Sequence, residues 1–301
     1  MPFDSSYEGN DLVFLLGCPR SGTTWMQRLI GAHPAVETGR ESHLFEFYLG
    51  PTLQYWQMEL EHLTRPEARR GQGVMGLSCY FERDEFMALF RDYSLHLLEH
   101  IKGGLEPGRV FLDTTPGHAR FLPEIRTLFP QCKIIHLLRD PRAVTASMLA
   151  ASKGWAAEWA PPHVRAAAWT WRHHVEKARK DGARLPQDAF LEVRYEDARK
   201  DTAAALRRIL DFLGLEWSDD RLRAAVEDNR PGAEGTPVPL HGEAAAVVGP
   251  VSRLPEGHAR NAPPKGWRRQ LSLLEKLQLQ WKIGSAMRDA GYRWRLRDWL
   301  P

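Results

Sequence analysis

The stretch Leu12-Val13-Phe14-Leu15-Leu16-Gly17, followed by Cys18-Pro19-Arg20-Ser21-Gly22-Thr23-Thr24-Trp25, most constrains the fold. A short continuous apolar run, a Gly-bounded turn and then apolar residues at one-face helical spacing (Trp25, Met26, Leu29, Ile30) predict a buried strand, a tight loop and a helix that ends at His33-Pro34. Such a loop gathers backbone N–H groups at one point, and the helix dipole behind it favours negative charge there. Gly17 and Gly22 allow close backbone approach, Arg20 supplies fixed charge, and Ser21, Thr23 and Thr24 supply hydroxyl donors. The expected occupant is a phosphate or sulfate.

Further strand-like runs recur, each followed by a helical pattern. Val110–Asp113 leads into Thr114-Thr115-Pro116-Gly117-His118, Lys133–Leu138 into Arg139-Asp140-Pro141-Arg142, and Phe190–Val193 into Arg194-Tyr195-Glu196-Asp197. Strands alternating with helices predict an α/β fold, with a mostly parallel central sheet flanked by helices in three layers. One domain over residues 1–301 is expected, with a lid-like loop at 231–264, where seven prolines and five glycines fall in 34 residues. A polar loop is expected over 65–73 and a last helix from Leu271 to about Ala290. Open sheets of this kind bind ligands at the carboxyl ends of their strands, which places Arg139 and His118 at a site. Asp140 and Pro141 suit an N-cap and first helical position, so Ser147 lies roughly 9 Å along the following helix, within reach of the same anion as Arg139.

Two groups are candidate bases. Glu41 sits in Arg40-Glu41-Ser42-His43-Leu44-Phe45, between a cation and an aromatic cluster, where partial desolvation raises proton affinity. His118 is the second. The aromatics Phe45, Phe47, Tyr48, Tyr55 and Trp56 either pack on the sheet or line an acceptor pocket. Trp155, Trp159, Trp169 and Trp171 are expected in the core, and His136 as a satisfied core histidine.

The net charge of +3 does not by itself call for nucleic acid. Ten Lys or Arg against three acids between Arg260 and Pro301 nevertheless suit an anionic ligand. The odd, widely spaced Cys18, Cys79 and Cys132 have no metal-ligand spacing and predict reduced thiols. With no basic leader and no apolar run long enough to span a membrane, a cytoplasmic protein is expected.

A phosphate loop first suggests a kinase or nucleotide hydrolase, but that pattern has Lys directly after its second Gly. Here Thr23 follows Gly22 and the cation is Arg20. At these residues the chain resembles the sulfotransferases that use 3′-phosphoadenosine 5′-phosphosulfate (PAPS), which have a P-loop-like fold. Gly17 to Trp25 is similar to that family's 5′-phosphosulfate loop. Arg139 with Ser147 eight residues on is similar to its 3′-phosphate pair, Tyr195-Glu196-Asp197 to its strand-end motif, and Gly266 to Ser272 to its C-terminal nucleotide-closing segment. The resemblance implies transfer of a sulfuryl group from PAPS to a hydroxyl, or to an amine, of a small-molecule, lipid or carbohydrate acceptor. It implies Glu41 as base over His118, and Arg20 with the loop N–H groups on the leaving phosphate. It also implies nucleotide contacts from Ser21, Gly22, Thr23, Thr24, Trp25, Arg139, Ser147, Tyr195, Arg260, Lys265, Gly266, Trp267 and Arg268. No metal, nucleic acid or membrane span is expected. Many members have Lys where this chain has Arg20, and Lys just before the Thr-Pro where it has Thr114. A kinase or hydrolase, or a nucleotide-binding protein without catalysis, are the alternatives.

Overall fold

In the computed structural model, residues 7–64, 76–230 and 266–299 are described. The expected loops at 65–73 and 231–264 fall outside them, as do Arg260 and Lys265. Five parallel strands form one sheet: β1 (Leu12–Gly17), β2 (Val36–Thr38), β3 (Val110–Asp113), β4 (Lys133–Leu138) and β5 (Phe190–Arg194), in the order β2-β3-β1-β4-β5. β1 is central because its residues are apolar on both faces. Leu12, Phe14 and Leu16 pack into one cluster with Phe45, Phe111 and Phe129, while Val13 and Leu15 pack into another with Met26, Ile30, Ile135 and Leu210. Both clusters are closed by helices, which gives three layers. Burying each of these side chains contributes about 1.5–3 kcal/mol before conformational entropy is set against it.

The helices are α1 (Thr23–Gly31), α2 (Gly50–Leu63), α3 (Arg83–Lys102), α4 (Leu122–Leu128), α5 (Pro141–Ala151), α6 (Val164–Gly182), α7 (Tyr195–Lys200), α8 (Thr202–Leu213), α9 (Asp219–Asp228), α10 (Trp267–Gln270) and α11 (Leu273–Asp289). The Asp140 carboxylate caps α5 by accepting the Arg142 N–H at 2.9 Å, and Pro141 opens that helix. The last helix departs from expectation. Leu271 is extended between α10 and α11, Ser272 forms a capping box with Glu275, and Ile283 breaks the helical backbone (φ −135°).

Two other expectations change. β2 was not foreseen, since three residues are too few to show alternation. Of the four tryptophans expected in the core, Trp171 is fully buried, whereas Trp159 and Trp169 are at least half exposed. The aromatic run 45–56 divides by helical face: Phe45 and Trp56 are buried, while Phe47, Tyr48 and Tyr55 are exposed. His136 is buried in β4, with Nδ1 3.1 Å from Glu192 Oε2.

Because all five strands run parallel, the segments after β1, β3, β4 and β5 leave from the same edge. β1 lies between β3 and β4, so their three outgoing loops meet where the chain crosses from one side of β1 to the other.

Candidate active site

The loop after β1 is tight. Ser21 N–H donates to the Cys18 carbonyl (3.0 Å), and Met26 N–H to the Gly22 carbonyl (3.1 Å). Arg20 holds a left-handed backbone (φ 73°), at a cost of about 1–2 kcal/mol for a residue with a Cβ. That conformation turns its carbonyl to Arg139, whose Nη1 donates at 2.9 Å. The Arg20 side chain donates from Nε to Ser147 Oγ (3.1 Å) and lies 5.2 Å from the centre of the Trp155 ring. The loop, the end of β4 and the middle of α5 are thus joined through one arginine.

Gly22 (φ 99°) serves as N-cap of α1 with no side-chain cap, so the first-turn N–H groups stay available. A Cβ there would lie 2.6 Å from Tyr195 Cε2. Tyr195 holds the other side of the loop: Arg139 Cζ is 4.1 Å from its ring centre, Trp25 meets it edge-on at 5.5 Å, and Arg199 Nη1 donates to its hydroxyl at 2.7 Å. Trp25 Nε1 donates to the Asn229 carbonyl at 3.1 Å.

Ser21 is fully buried and its Oγ has no hydrogen-bond partner among the described residues; the same holds for Arg139 Nε. Buried donors without partners carry a free-energy cost that a bound anion removes. These groups therefore fit a phosphorylated ligand lying over the loop. Thr23 is buried and Thr24 half-buried at the start of α1.

The second part of the site is the turn after β2. Ser42 Oγ donates to Asp113 Oδ2, and the N–H groups of Ser42 and His43 donate to Thr115 Oγ1 at 3.0 and 3.3 Å. The carboxyl end of β3 therefore fixes the segment that carries Glu41. Burial pushes the Glu41 carboxyl from its ordinary 4.5 up to about 7; His43 and Arg20 pull it back down, while Asp113 and Glu46 add to the rise. Its side chain is still 46% exposed, so solvent moderates the push, and the upward direction is what matters chemically.

His118, the other candidate base, is fully buried. Its Nε2 accepts the Phe45 N–H at 3.1 Å, its Nδ1 lies 3.4 Å from Asp113 Oδ1, and Phe14 and Phe45 stand edge-on to the ring. Burial holds its pKa down against the pull of Asp113 and Glu46. A ring so enclosed has no path to an acceptor hydroxyl. His118 is corrected to a residue that braces the Phe45 turn.

The C-terminal basic residues divide. Trp267 is buried beneath Arg142, whose Cζ lies 4.3 Å from one of its ring centres. Arg268 Nε donates to Asp298 Oδ1 at 2.9 Å, so in this arrangement its guanidinium serves a buried carboxylate. Gly266 precedes α10. What α10 and α11 bring to the loop is Gln270, Leu271 and Glu275. With Arg20, Ser147 and Trp155 they line a cavity of about 490 Å³, which Lys153 also borders. Trp155, Arg199 and Thr115 adjoin the candidate site and were not among the residues the sequence singled out for it. Trp155 was assigned to the core, and nothing local marks an aromatic 135 positions from Arg20 as its partner.

A sequence profile of the Sulfotransferase family matches residues 12–219. The chain belongs to that family, a class of transferase enzymes. Two relatives are the Protein-tyrosine sulfotransferase of Drosophila melanogaster, 27% identical over 220 residues (73% of this chain and 41% of the relative), and the Protein-tyrosine sulfotransferase 2 of Gallus gallus, 27% identical over 221 residues (73% and 56%). The chain spans about half the length of the curated relatives it matches. Its fold is that of mouse sulfotransferase SULT7A1, solved complexed with PAP, at a TM-score of 0.57 and 16% identity, covering 94% of this chain and 87% of the other. The expectation of a cytoplasmic protein is corrected: the relatives it matches are named as protein-tyrosine sulfotransferases and give a cytoplasmic placement no support. Among the described residues no helix is long and apolar enough to cross a membrane.

Proposed function

We propose that this chain is a PAPS-dependent sulfotransferase acting on an acceptor hydroxyl, with Glu41 as the base. When bound, PAPS supplies the activated sulfuryl group. The observation that carries the reading is the convergence of Arg20, Ser147, Arg139 and Tyr195 on one uncapped helix N-terminus, with Glu41 close enough for Arg20 to lower its pKa.

Arg20, Ser21 Oγ and the first N–H groups of α1 would hold the 5′ phosphate and offset the charge that builds on it as it departs. Arg139, Ser147 and the edge-on pair Tyr195 and Trp25 would hold the remainder of the nucleotide. Glu41 takes the acceptor proton, and a carboxyl near pH 7 is matched to that task. Positioning and electrostatics then carry most of the rate enhancement, as in phosphoryl transfer. Arg260 and Lys265 lie outside the described residues and Arg268 is engaged by Asp298; Gln270, at the cavity wall, would face the nucleotide as well.

The two relatives are named for protein tyrosine, and the exposed rings of Phe47 and Tyr48 stand beside the Glu41 turn. A tyrosine phenol is therefore the first acceptor to test, ahead of small-molecule, lipid or glycan hydroxyls. Calorimetry should show 3′,5′-adenosine bisphosphate binding far more tightly than ATP with Mg²⁺; the opposite order would remove the sulfotransferase reading in favour of a kinase or hydrolase. Mass spectrometry should then find one sulfate added to a tyrosine peptide or to 4-nitrophenol.

A further inference from the structure

The turn that carries Glu41 contains a second titratable group in line with it. His43 Nε2 lies 3.5 Å from Glu41 Oε2, and on the opposite side of the ring His43 Nδ1 lies 2.9 Å from Glu46 Oε2. Glu46 in turn receives Arg120 Nη2. A carboxylate, an imidazole, a second carboxylate and a guanidinium are thus aligned. The backbone is arranged to achieve this. His43 is held left-handed (φ 50°) as the N-cap of a π-helical turn, Leu44–Leu49, which brings Glu46 back under the ring. Phe47 stacks flat on the imidazole, with centroids 4.8 Å apart and planes 14° apart. A non-Gly residue at positive φ and a π-turn each carry a conformational cost, and both recur at functional sites.

Resting on the reading of Glu41 as base, we propose that His43 is a proton-relay residue: through Nε2 it receives from Glu41 the proton taken from the acceptor. Glu46 is paired with Arg120 and can only accept from the ring, so it draws the neutral-ring proton to Nδ1. Nε2 is then an unshared lone pair facing Glu41. The acceptor hydroxyl gives its proton to a Glu41 oxygen, Glu41 passes that proton to Nε2, and the resulting imidazolium sits between two carboxylates until it releases the proton to water. No proton is left over, and Glu41 returns to its charged form for the next turnover. The relay leads outward: the His43 side chain is 37% exposed, whereas His118 on the other side of the turn is enclosed.

The charged and titratable groups around the ring favour this route. Glu41 and Glu46 face it from its own segment. Asp113, His118 and Arg120 face the turn from β3 and the residues after it, and His174 of α6 adjoins Glu46 and Arg120 from the other side.

The first test needs no substrate. Ring nitrogen NMR of the full chain at high pH should show neutral His43 protonated at Nδ1, and Glu46→Gln should release the preference; a ring protonated at Nε2 in the parent protein overturns the proposal. The second test uses turnover of a tyrosine peptide or 4-nitrophenol with PAPS. His43→Asn, chosen because Asn tolerates a left-handed backbone, should cut kcat about 10- to 100-fold and change its pH profile. The KM for PAPS and the melting temperature should stay in place. His43→Gly, also suited to that backbone, should recover turnover when free imidazole is added. Unchanged kcat in both variants, or loss of nucleotide binding alongside kcat, refutes the relay. Glu41→Gln separates the two ideas: if it keeps full turnover the base assignment fails, whereas lost turnover in Glu41→Gln with none lost in His43→Asn sinks only the relay. If neither probe is turned over, the tautomer decides.

Discussion

Gly22→Ala tests the whole anion site through a single methyl group. Two costs follow from the structure. The backbone stands at φ 99°, where a residue with a Cβ loses about 1–2 kcal/mol. The new Cβ would also lie 2.6 Å from Tyr195 Cε2 and 2.8 Å from Cδ2, a full ångström inside contact distance, so the ring must move. Overpacking of this kind costs about 1–3 kcal/mol. Tyr195 carries Arg139 on its face and Trp25 at its edge, so its displacement should reach the nucleotide site directly. We expect 3′,5′-adenosine bisphosphate to bind at least about tenfold more weakly by calorimetry, equivalent to about 1.4 kcal/mol, with unfolding stability lowered by about 2–5 kcal/mol. Tyr195→Ala supplies the control. In that background the steric part vanishes, and adding Gly22→Ala should cost only the backbone part, so the two changes should be non-additive. Full additivity, or nucleotide affinity within twofold of the parent, would refute the account of how Gly22, Tyr195 and Arg139 are coupled.

Other outcomes can be checked as directly. Arg139→Ala should weaken binding of the same nucleotide by about 1.5–3 kcal/mol, the scale of a hydrogen bond to a charge; equal affinity by calorimetry removes Arg139 from the site. With the Glu41 carboxyl raised to about 7, the base is charged only above that pH, so kcat should climb through neutrality and flatten at higher pH, and Glu41→Gln should lose that limb. The same shift has the opposite sign for stability, because the fold disfavours the charged form: the penalty appears as pH rises from 4.5 and is complete above about 7. Thr115→Val removes the shared acceptor of the Ser42 and His43 N–H groups and should lower turnover without touching nucleotide affinity; weakened nucleotide binding would count against this division of the site. Arg142→Met leaves Asp140 and Asp298 buried without their shared cation, a loss of about 3–5 kcal/mol, which at about 2–4 °C per kcal/mol should lower the melting temperature by roughly 6 °C or more. A melting temperature unchanged by scanning calorimetry would show that this cluster does not hold the C-terminal segment. Burial raises the Asp298 carboxyl, but the Arg295 N–H, Arg268 and Arg142 outweigh it and leave the pKa lowered. Its contribution to stability is therefore present above the unfolded value and fades as pH falls through the folded one, so acid melting should steepen in that window and flatten in Asp298→Asn.

Of the strands, β1, β3, β4 and β5 are legible in the sequence because each is a compact apolar run ending in turn residues, and α5 because Asp140 and Pro141 mark its start. β2 is not legible, because three residues carry no period and its place at the sheet edge comes only from pairing with β3. The tryptophans show the same limit. Composition says that Trp155, Trp159, Trp169 and Trp171 are large and apolar, yet packing sends one to the core, leaves two in solvent and sets Trp155 against Arg20.

By itself the sequence pointed to a set of candidate anion ligands: glycines that permit close approach, hydroxyls, Arg20, and Arg139 with Ser147 one strand away. Those are local properties of side-chain chemistry and spacing, and they survive without coordinates. The likeness of Arg40 to Phe45 to the family's base-carrying segment already favoured Glu41 over His118. What only the tertiary structure added is the difference in burial between the two candidate bases, because burial depends on what packs around a group rather than on the group. Phe14 and Phe45 closed over His118, while the turn fixed by Asp113 and Thr115 left Glu41 open to solvent beside Arg20, with His43 and Glu46 in line behind it.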